Sequence, residues 1–188
     1  MATRIAAYIT SRMLASSVIE EDDRALYCYG FFLLITRFFF FLVTVIVGYL
    51  LGIPCESVVF YIAFILLRTY AGGVHAKTET ACTVLTTLAL GMAVATIKIL
   101  EASNGGIKTF LVFSNLCIWL FSPLDSSEKP LKTEEKRRYR KICYRLLLIC
   151  DAVIFAADFM MLPMLYYPVA CSMFLEAALL SIGKMCNM

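Results

Sequence analysis

One histidine and one cysteine lie seven residues apart in a polar stretch between two apolar runs. They are His75, the single histidine of the chain, and Cys82. A thiol attacks a carbonyl group as its thiolate, and a neighbouring imidazole is the usual base that removes the proton. Exposed N–H groups at the start of a helix also favour the anion, and Cys82 lies just inside the apolar run that begins at Thr80. The pair therefore predicts nucleophilic cysteine chemistry.

The segment between the two residues decides whether their side chains can meet. Seven residues of regular helix would separate their Cα atoms by about 10.5 Å, and helical side chains all tilt toward the amino terminus. We therefore expect His75 to lie outside the helix, on a bend that Gly72 and Gly73 allow. Thr78 is suited to be the N-cap of the helix that carries Cys82. The alternative is a polar turn in which His75 donates to a backbone carbonyl and Cys82 packs against lipid.

The surrounding sequence is too apolar for a water-soluble domain. Of its 188 residues, 61% are hydrophobic and 16% are charged, with a mean hydropathy of +0.82, whereas soluble domains are about 45–50% apolar and about 25% charged. A helix needs roughly 20 apolar residues to cross a bilayer, and its backbone must be satisfied internally there. Six runs qualify: residues 30–51, 54–70, 80–100, 107–124, 142–162 and 166–185. They predict one all-α integral membrane domain over residues 1–188, with six transmembrane helices; the second span is short, and a re-entrant hairpin is its alternative.

Basic residues fall mainly on one side of these spans. With the amino terminus in the cytoplasm, 14 of the 17 Lys and Arg residues lie in cytoplasmic segments, as the positive-inside rule requires. Both termini are therefore expected in the cytoplasm. The hydrophilic loop 125–141 opens a basic run that continues to Arg145, and we expect it to rest on anionic lipid headgroups of the bilayer. Without a fold that presents these side chains to bases, the run does not predict nucleic-acid binding.

The first 28 residues are too polar to cross the membrane. Ile5, Ile9 and Met13 fall on one helical stripe, while Arg4 and Arg12 face elsewhere. The pattern predicts an amphipathic helix lying in the membrane interface; a cytosolic helix packed on the basic loop is the alternative. The eight cysteines include no CxxC pair, and one histidine among scattered thiols makes no metal-ligand set. No metal or other cofactor is predicted.

Two motifs resemble those of a known family. The first is Arg68-x-x-x-Gly72-Gly73-x-His75-Ala76-x-Thr78-x-x-x-Cys82, which is similar to the signature of the accessory gene regulator B (AgrB) family of membrane cysteine endopeptidases. The second is Ser122-Pro123-Leu124-Asp125, followed by Lys129-Pro130, which resembles the family's Pro-x-Asp…Lys-Pro loop between spans four and five. The two motifs occur in the expected order, and the resemblance covers essentially the whole chain.

The resemblance implies a role for each residue of the first motif. Cys82 would be the nucleophile, and His75 the general base and later the general acid. Gly72, Gly73 and Thr78 would shape the site, and Arg68 would hold the bend or bind a substrate carboxylate. No third residue of a triad is identified: Glu79 or Asp125, both at the predicted cytoplasmic face, could orient His75, and a dyad can work without either.

The resemblance also implies a substrate and a setting. The enzyme would cleave the carboxy-terminal tail from an AgrD-like propeptide through an acyl-enzyme thioester, and the peptide would cyclise to a thiolactone or lactone quorum-sensing signal. It would act as a homodimer in the bacterial cell membrane. Because such propeptides have acidic tails, the basic loop becomes a candidate docking surface, formed by Asp125, Lys129, Lys132, Lys136, Arg137 and Arg138.

Acidic residues within the predicted spans support other functions. Asp151, Asp158 and Glu176 lie in apolar runs, where a charge is costly and is usually functional or paired. They could lock helices together as ion pairs, or they could serve a small transporter or channel. Transport requires polar residues along several spans, and the third and fourth spans have almost none inside. A membrane scaffold without catalysis is a further alternative.

Overall fold

The chain folds into helices joined by short connections. The structure, a computed structural model, describes residues 2–73, 78–103, 107–124 and 133–186. Within these ranges it contains a 3-10 turn at Glu21–Asp23, no β-strand, and seven α-helices: α1 Ala2–Ala15, α2 Arg24–Leu50, α3 Pro54–Ala71, α4 Glu79–Ser103, α5 Lys108–Phe121, α6 Thr133–Phe159 and α7 Pro163–Cys186. The all-α prediction is confirmed.

The first of two compact units comprises Met1–Val43. The predicted amino-terminal helix is present as α1 but ends at Ala15, and Ser17 has a positive φ of 54°. α2 begins at Arg24, six residues before the predicted span, and Arg24 pairs with Glu21 at 2.8 Å. Hydropathy identifies only the apolar part of such a helix, so the helix is longer than the span.

The second unit, Thr44–Met188, begins with the last turns of α2. Gly52 follows α2 with a φ of +76°, and Pro54 occupies the first turn of α3, as expected for a helix start. α3 then runs without a break for 18 residues, about 27 Å. A single continuous helix of this length fits a crossing rather than a re-entrant hairpin.

α7 is the central helix of the second unit. In its most apolar window 61% of the residues are buried, compared with 33% for α3 and 17% for α4. α7 packs against α3, α4, α5 and α6, and Met173, Ala177 and Leu180 are fully buried. A polar side chain on the buried face of this helix is therefore held deep in the bundle.

Each of the six predicted spans lies on a helix. Among the described residues, four segments are long and apolar enough to cross a membrane: Glu21–Leu51, Pro54–Ala71, Glu79–Ser103 and Pro163–Met185. α5 is apolar but has 14 residues, about 21 Å, and α6 has 27 residues with charges concentrated in its first half. The chain is a helical membrane protein, and the count of six spans stays a prediction.

Candidate active site

α3 ends at the two glycines, as the sequence predicts. Gly72 has a φ of +80° and Gly73 a φ of +141°, which glycine adopts at little cost. The amide of Gly72 donates to the Arg68 carbonyl at 3.3 Å. A Cβ atom on Gly72 would lie 2.5 Å from the Leu124 carbonyl oxygen. Both the backbone conformation and the available space require glycine, and we call these two residues the glycine turn.

The glycine turn is bonded to the chain segment that follows α5. The amide of Leu124 donates to the carbonyl of Ala71 at 2.8 Å, and Gly72 forms a parallel bridge with Leu124. Leu124 follows buried Ser122 and Pro123, which are joined by a cis peptide bond. Gly72 of the first motif and Leu124 of the second motif are therefore adjacent. Asp125, the next residue of the second motif, lies outside the described residues.

Arg68 reaches back over the glycine turn from the last part of α3. Its Nη1 atom donates to the Gly72 carbonyl at 2.8 Å and lies 3.9 Å from Oε1 of Glu176 on α7. A Cβ atom on Gly73 would overlap the Arg68 guanidinium group. This is the geometry expected of a residue that holds the bend.

Glu176 is a site residue that sequence reasoning did not connect with Arg68. Its side chain has no exposed surface, and neither carboxylate oxygen has a hydrogen-bond partner within the described part of the chain. The sequence did indicate that Glu176 has a partner, because an acidic residue in an apolar span is usually paired. The identity of its partner depends on how α3 packs against α7, which residue spacing does not encode.

Cys82 lies in the first turn of α4. Thr78 Oγ1 accepts a hydrogen bond from the Ala81 amide at 3.2 Å, and the Thr78 carbonyl accepts one from the Cys82 amide at 3.0 Å. Thr78 is thus the N-cap that the sequence predicts. The Cys82 side chain is half-buried. His75 lies outside the described residues, so its contact with Cys82 stays a prediction.

A cavity of about 530 Å³ begins at the segment that is bonded to the glycine turn. Its lining residues come from the end of α5, from α6 and from α7, and three of the seven are basic: Leu120, Phe121, Pro123, Leu124, Lys136, Arg140 and Lys184. Tyr70 and Tyr139 pack edge to face, with centroids 5.7 Å apart, and so join the last turn of α3 to the first part of α6. The cavity is a candidate site for an anionic group.

The structure separates the residues of the predicted docking surface. Lys136 lines the cavity, whereas Arg137 and Arg138 are exposed and do not; Asp125, Lys129 and Lys132 lie outside the described residues. Sequence reasoning did not single out Arg140 or Lys184. The spacing of four residues from Lys136 could have identified Arg140 on the same helical face, but Lys184 reaches the cavity only through the packing of α7.

The remaining intramembrane acids have different surroundings. Asn115 Nδ2 donates to Asp151 Oδ1 at 2.9 Å and joins α5 to α6, whereas Asp158 is exposed. Asp151 thus links two helices through a hydrogen bond to an amide, whereas the role considered for it was an ion pair. Glu176 faces Arg68 on α3, so the three carboxylates have three different surroundings.

The fold and the site define a polytopic helical membrane protein with a cysteine at a capped helix start, beside a glycine turn. A family model described as Accessory gene regulator B matches residues 2–182, and the chain belongs to this AgrB family. An AgrB-like protein of Clostridium perfringens (strain SM101) is 26% identical over 149 residues, 75% of this chain and 69% of that protein. One from Clostridium acetobutylicum is 28% identical over 112 residues, 58% of this chain and 54% of that protein. No solved structure matches.

Proposed function

We propose that this chain is a membrane cysteine endopeptidase that removes the carboxy-terminal tail of an AgrD-like propeptide. Membership of the AgrB family supports a role in the accessory gene regulator system. The observation that carries the proposal is the position of Cys82 in the capped first turn of α4, just after the glycine turn. We include in the proposal a homodimer in the bacterial cell membrane with both termini in the cytoplasm, an orientation supported by the distribution of basic residues.

The proposed reaction uses the thiol of Cys82 and the imidazole of His75. His75 takes the thiol proton, the thiolate attacks the scissile carbonyl carbon, and the C–N bond breaks as His75 returns the proton to the leaving amine. The products of this step are an acyl-enzyme thioester and the free tail. A cysteine or serine of the propeptide then attacks the thioester, its proton passes to His75, and Cys82 leaves as the thiolate. The peptide closes as a thiolactone or a lactone.

The free energies of the two reaction steps indicate that the enzyme must bind the tail of the propeptide. Replacing one thioester with another is close to thermoneutral, whereas forming a thioester from an amide is uphill, so loss of the tail must draw the first step forward. The cavity lined by Lys136, Arg140 and Lys184 has the charge that complements an acidic tail. Its connection to the glycine turn through Leu124 supports docking close to the proposed nucleophile. We propose that the tail docks there.

Coexpression with an AgrD-like propeptide tests the proposed function. The propeptide carries an epitope on its tail, and release of the tail is measured at matched membrane levels of the parental chain and its variants. Cys82→Ser and His75→Ala are expected to lose release by at least 100-fold. Cys55→Ser is the matched control, since Cys55 is an exposed thiol at the other end of α3, and it should release the tail normally. Parental release by Cys82→Ser would contradict the proposal.

A further inference from the structure

We propose that Glu176 is a positioning residue, whose buried carboxylate holds the Arg68 guanidinium, and that Arg68 in turn holds the glycine turn. The effect on catalysis rests on the proposed function, because the turn leads into the segment that contains His75. The contacts themselves do not depend on that function. Glu176 would touch neither the substrate nor the reacting atoms and would act only through Arg68.

Burial explains why Glu176 constrains Arg68. The carboxylate is fully buried on the central helix of the second unit, and its two oxygens accept no hydrogen bond from any described residue. A buried charge is strongly unfavourable without a counter-charge. Arg68 supplies one at 3.9 Å, from a side chain that is only 19% exposed. Movement of Arg68 toward water would leave the carboxylate uncompensated, so the guanidinium is held in place.

One nitrogen atom transfers this constraint to the glycine turn. Nη1 of Arg68, the atom that faces Glu176, also donates to the Gly72 carbonyl at 2.8 Å. Carbonyls at the end of a helix have no partner within the helix, and here a guanidinium satisfies one of them. A hydrogen bond from a charged donor is shorter and stronger than a neutral one. The position of Gly72 is therefore coupled to a carboxylate on another helix.

A second contact fixes the opposite side of the turn. The Leu124 amide donates to the Ala71 carbonyl, and the Leu124 carbonyl leaves no room for a side chain on Gly72. The turn thus lies between Arg68 and Leu124, while the first turn of α4, which holds Cys82, is capped by Thr78. Releasing Arg68 would let the turn move relative to Cys82. Displacements of about 1 Å between catalytic groups can lower rates about 100-fold.

Hydrogen–deuterium exchange of the full chain in lipid nanodiscs tests the structural half of the proposal. Glu176→Gln keeps the shape of the side chain and removes its charge. We expect exchange at the amides of Gly72 and Leu124 to become at least tenfold faster in this variant. Asp151→Asn is the matched control, because Asp151 is an intramembrane acid bonded to Asn115 rather than to Arg68, and it should leave both amides unchanged. Unchanged exchange in Glu176→Gln would overturn the proposal.

Kinetics of tail release test the catalytic half. Glu176→Gln should lower kcat at least tenfold with KM for the propeptide within twofold, because the turn is displaced and the cavity is intact. Glu176→Asp keeps the charge but moves it away from Arg68, so it should give an intermediate rate of amide exchange and an intermediate kcat. If Glu176→Gln accumulates poorly in the membrane, Glu176→Asp is compared with the parental chain in its place. Faster exchange with an unchanged kcat would overturn the positioning role. If the parental chain releases no tail, the proposed function fails, whereas the exchange result still decides whether Glu176 holds the turn.

Discussion

The amide of Leu124 donates a hydrogen bond to the carbonyl of Ala71 at 2.8 Å. This bond joins the end of α3, where the first sequence motif bends, to the segment after α5, where the second motif begins. Two residues that lie 53 positions apart in the sequence, one in each motif, thereby become neighbours. The bond also brings the basic cavity next to the glycine turn, since Leu124 contributes to both.

Gly72→Ala should damage the site more than an equivalent change elsewhere. Gly72 has φ +80° and ψ −150°, a conformation that costs other residues about 1–3 kcal/mol, and here the new Cβ atom would also meet the Leu124 carbonyl. We expect loss of thermal stability together with at least a tenfold loss of tail release. Gly52→Ala is the control, because Gly52 also has a positive φ, 76°, but has nothing within 4 Å of the new atom. Equal loss of tail release in both variants would show that strain alone is responsible.

Thr78→Ala should make the start of α4 less stable. Loss of an N-cap side chain costs about 1 kcal/mol, and the first turn that holds Cys82 would fray. We expect slower alkylation of Cys82 by iodoacetamide at neutral pH, measured by peptide mass spectrometry. Thr78→Ser retains a hydroxyl that can accept the Ala81 amide and should react at the parental rate. The role given to this cap would be contradicted if Thr78→Ala also reacted at that rate.

Neutralising the cavity should weaken propeptide binding without affecting the chemical step. The double variant Arg140→Gln and Lys184→Gln is expected to raise KM about tenfold, equivalent to about 1.4 kcal/mol, with kcat within twofold. The loss should diminish for a propeptide whose tail acids are replaced by amides. Arg138→Gln is the control, since Arg138 lies on the same helix but is exposed and outside the cavity. A similar rise in KM for Arg138→Gln would show that the overall positive charge of this surface, rather than the cavity, binds the propeptide.

Local features of this site could be predicted from the sequence. Two adjacent glycines predict a bend because a positive φ favours glycine, and a threonine before a helical run predicts a cap because its hydroxyl accepts a free amide hydrogen. Both Gly72 and Thr78 lie in the structure as expected. The apolar runs likewise predict the helices, since a backbone in lipid must satisfy its own hydrogen bonds.

Contacts between distant helices could not be predicted in the same way. The proximity of Glu176 to Arg68, and the place of Lys184 in the cavity, depend on the packing of α7 against α3 and α5. Residue spacing describes faces of single helices but not which faces meet. α2 extends six residues before the predicted span for a different reason, because hydropathy does not register its polar beginning at Arg24.

The proposed reaction depends on His75 acting as the base that activates the thiol of Cys82. The direct measurement is the rate of Cys82 alkylation over a range of pH in the full-length chain in nanodiscs, followed at the Cys82 peptide so that the other thiols do not interfere. We predict that alkylation at neutral pH is at least tenfold faster in the parental chain than in His75→Ala, because the variant lacks the imidazole that takes the thiol proton. Superimposable profiles for the parental chain and His75→Ala would contradict the account.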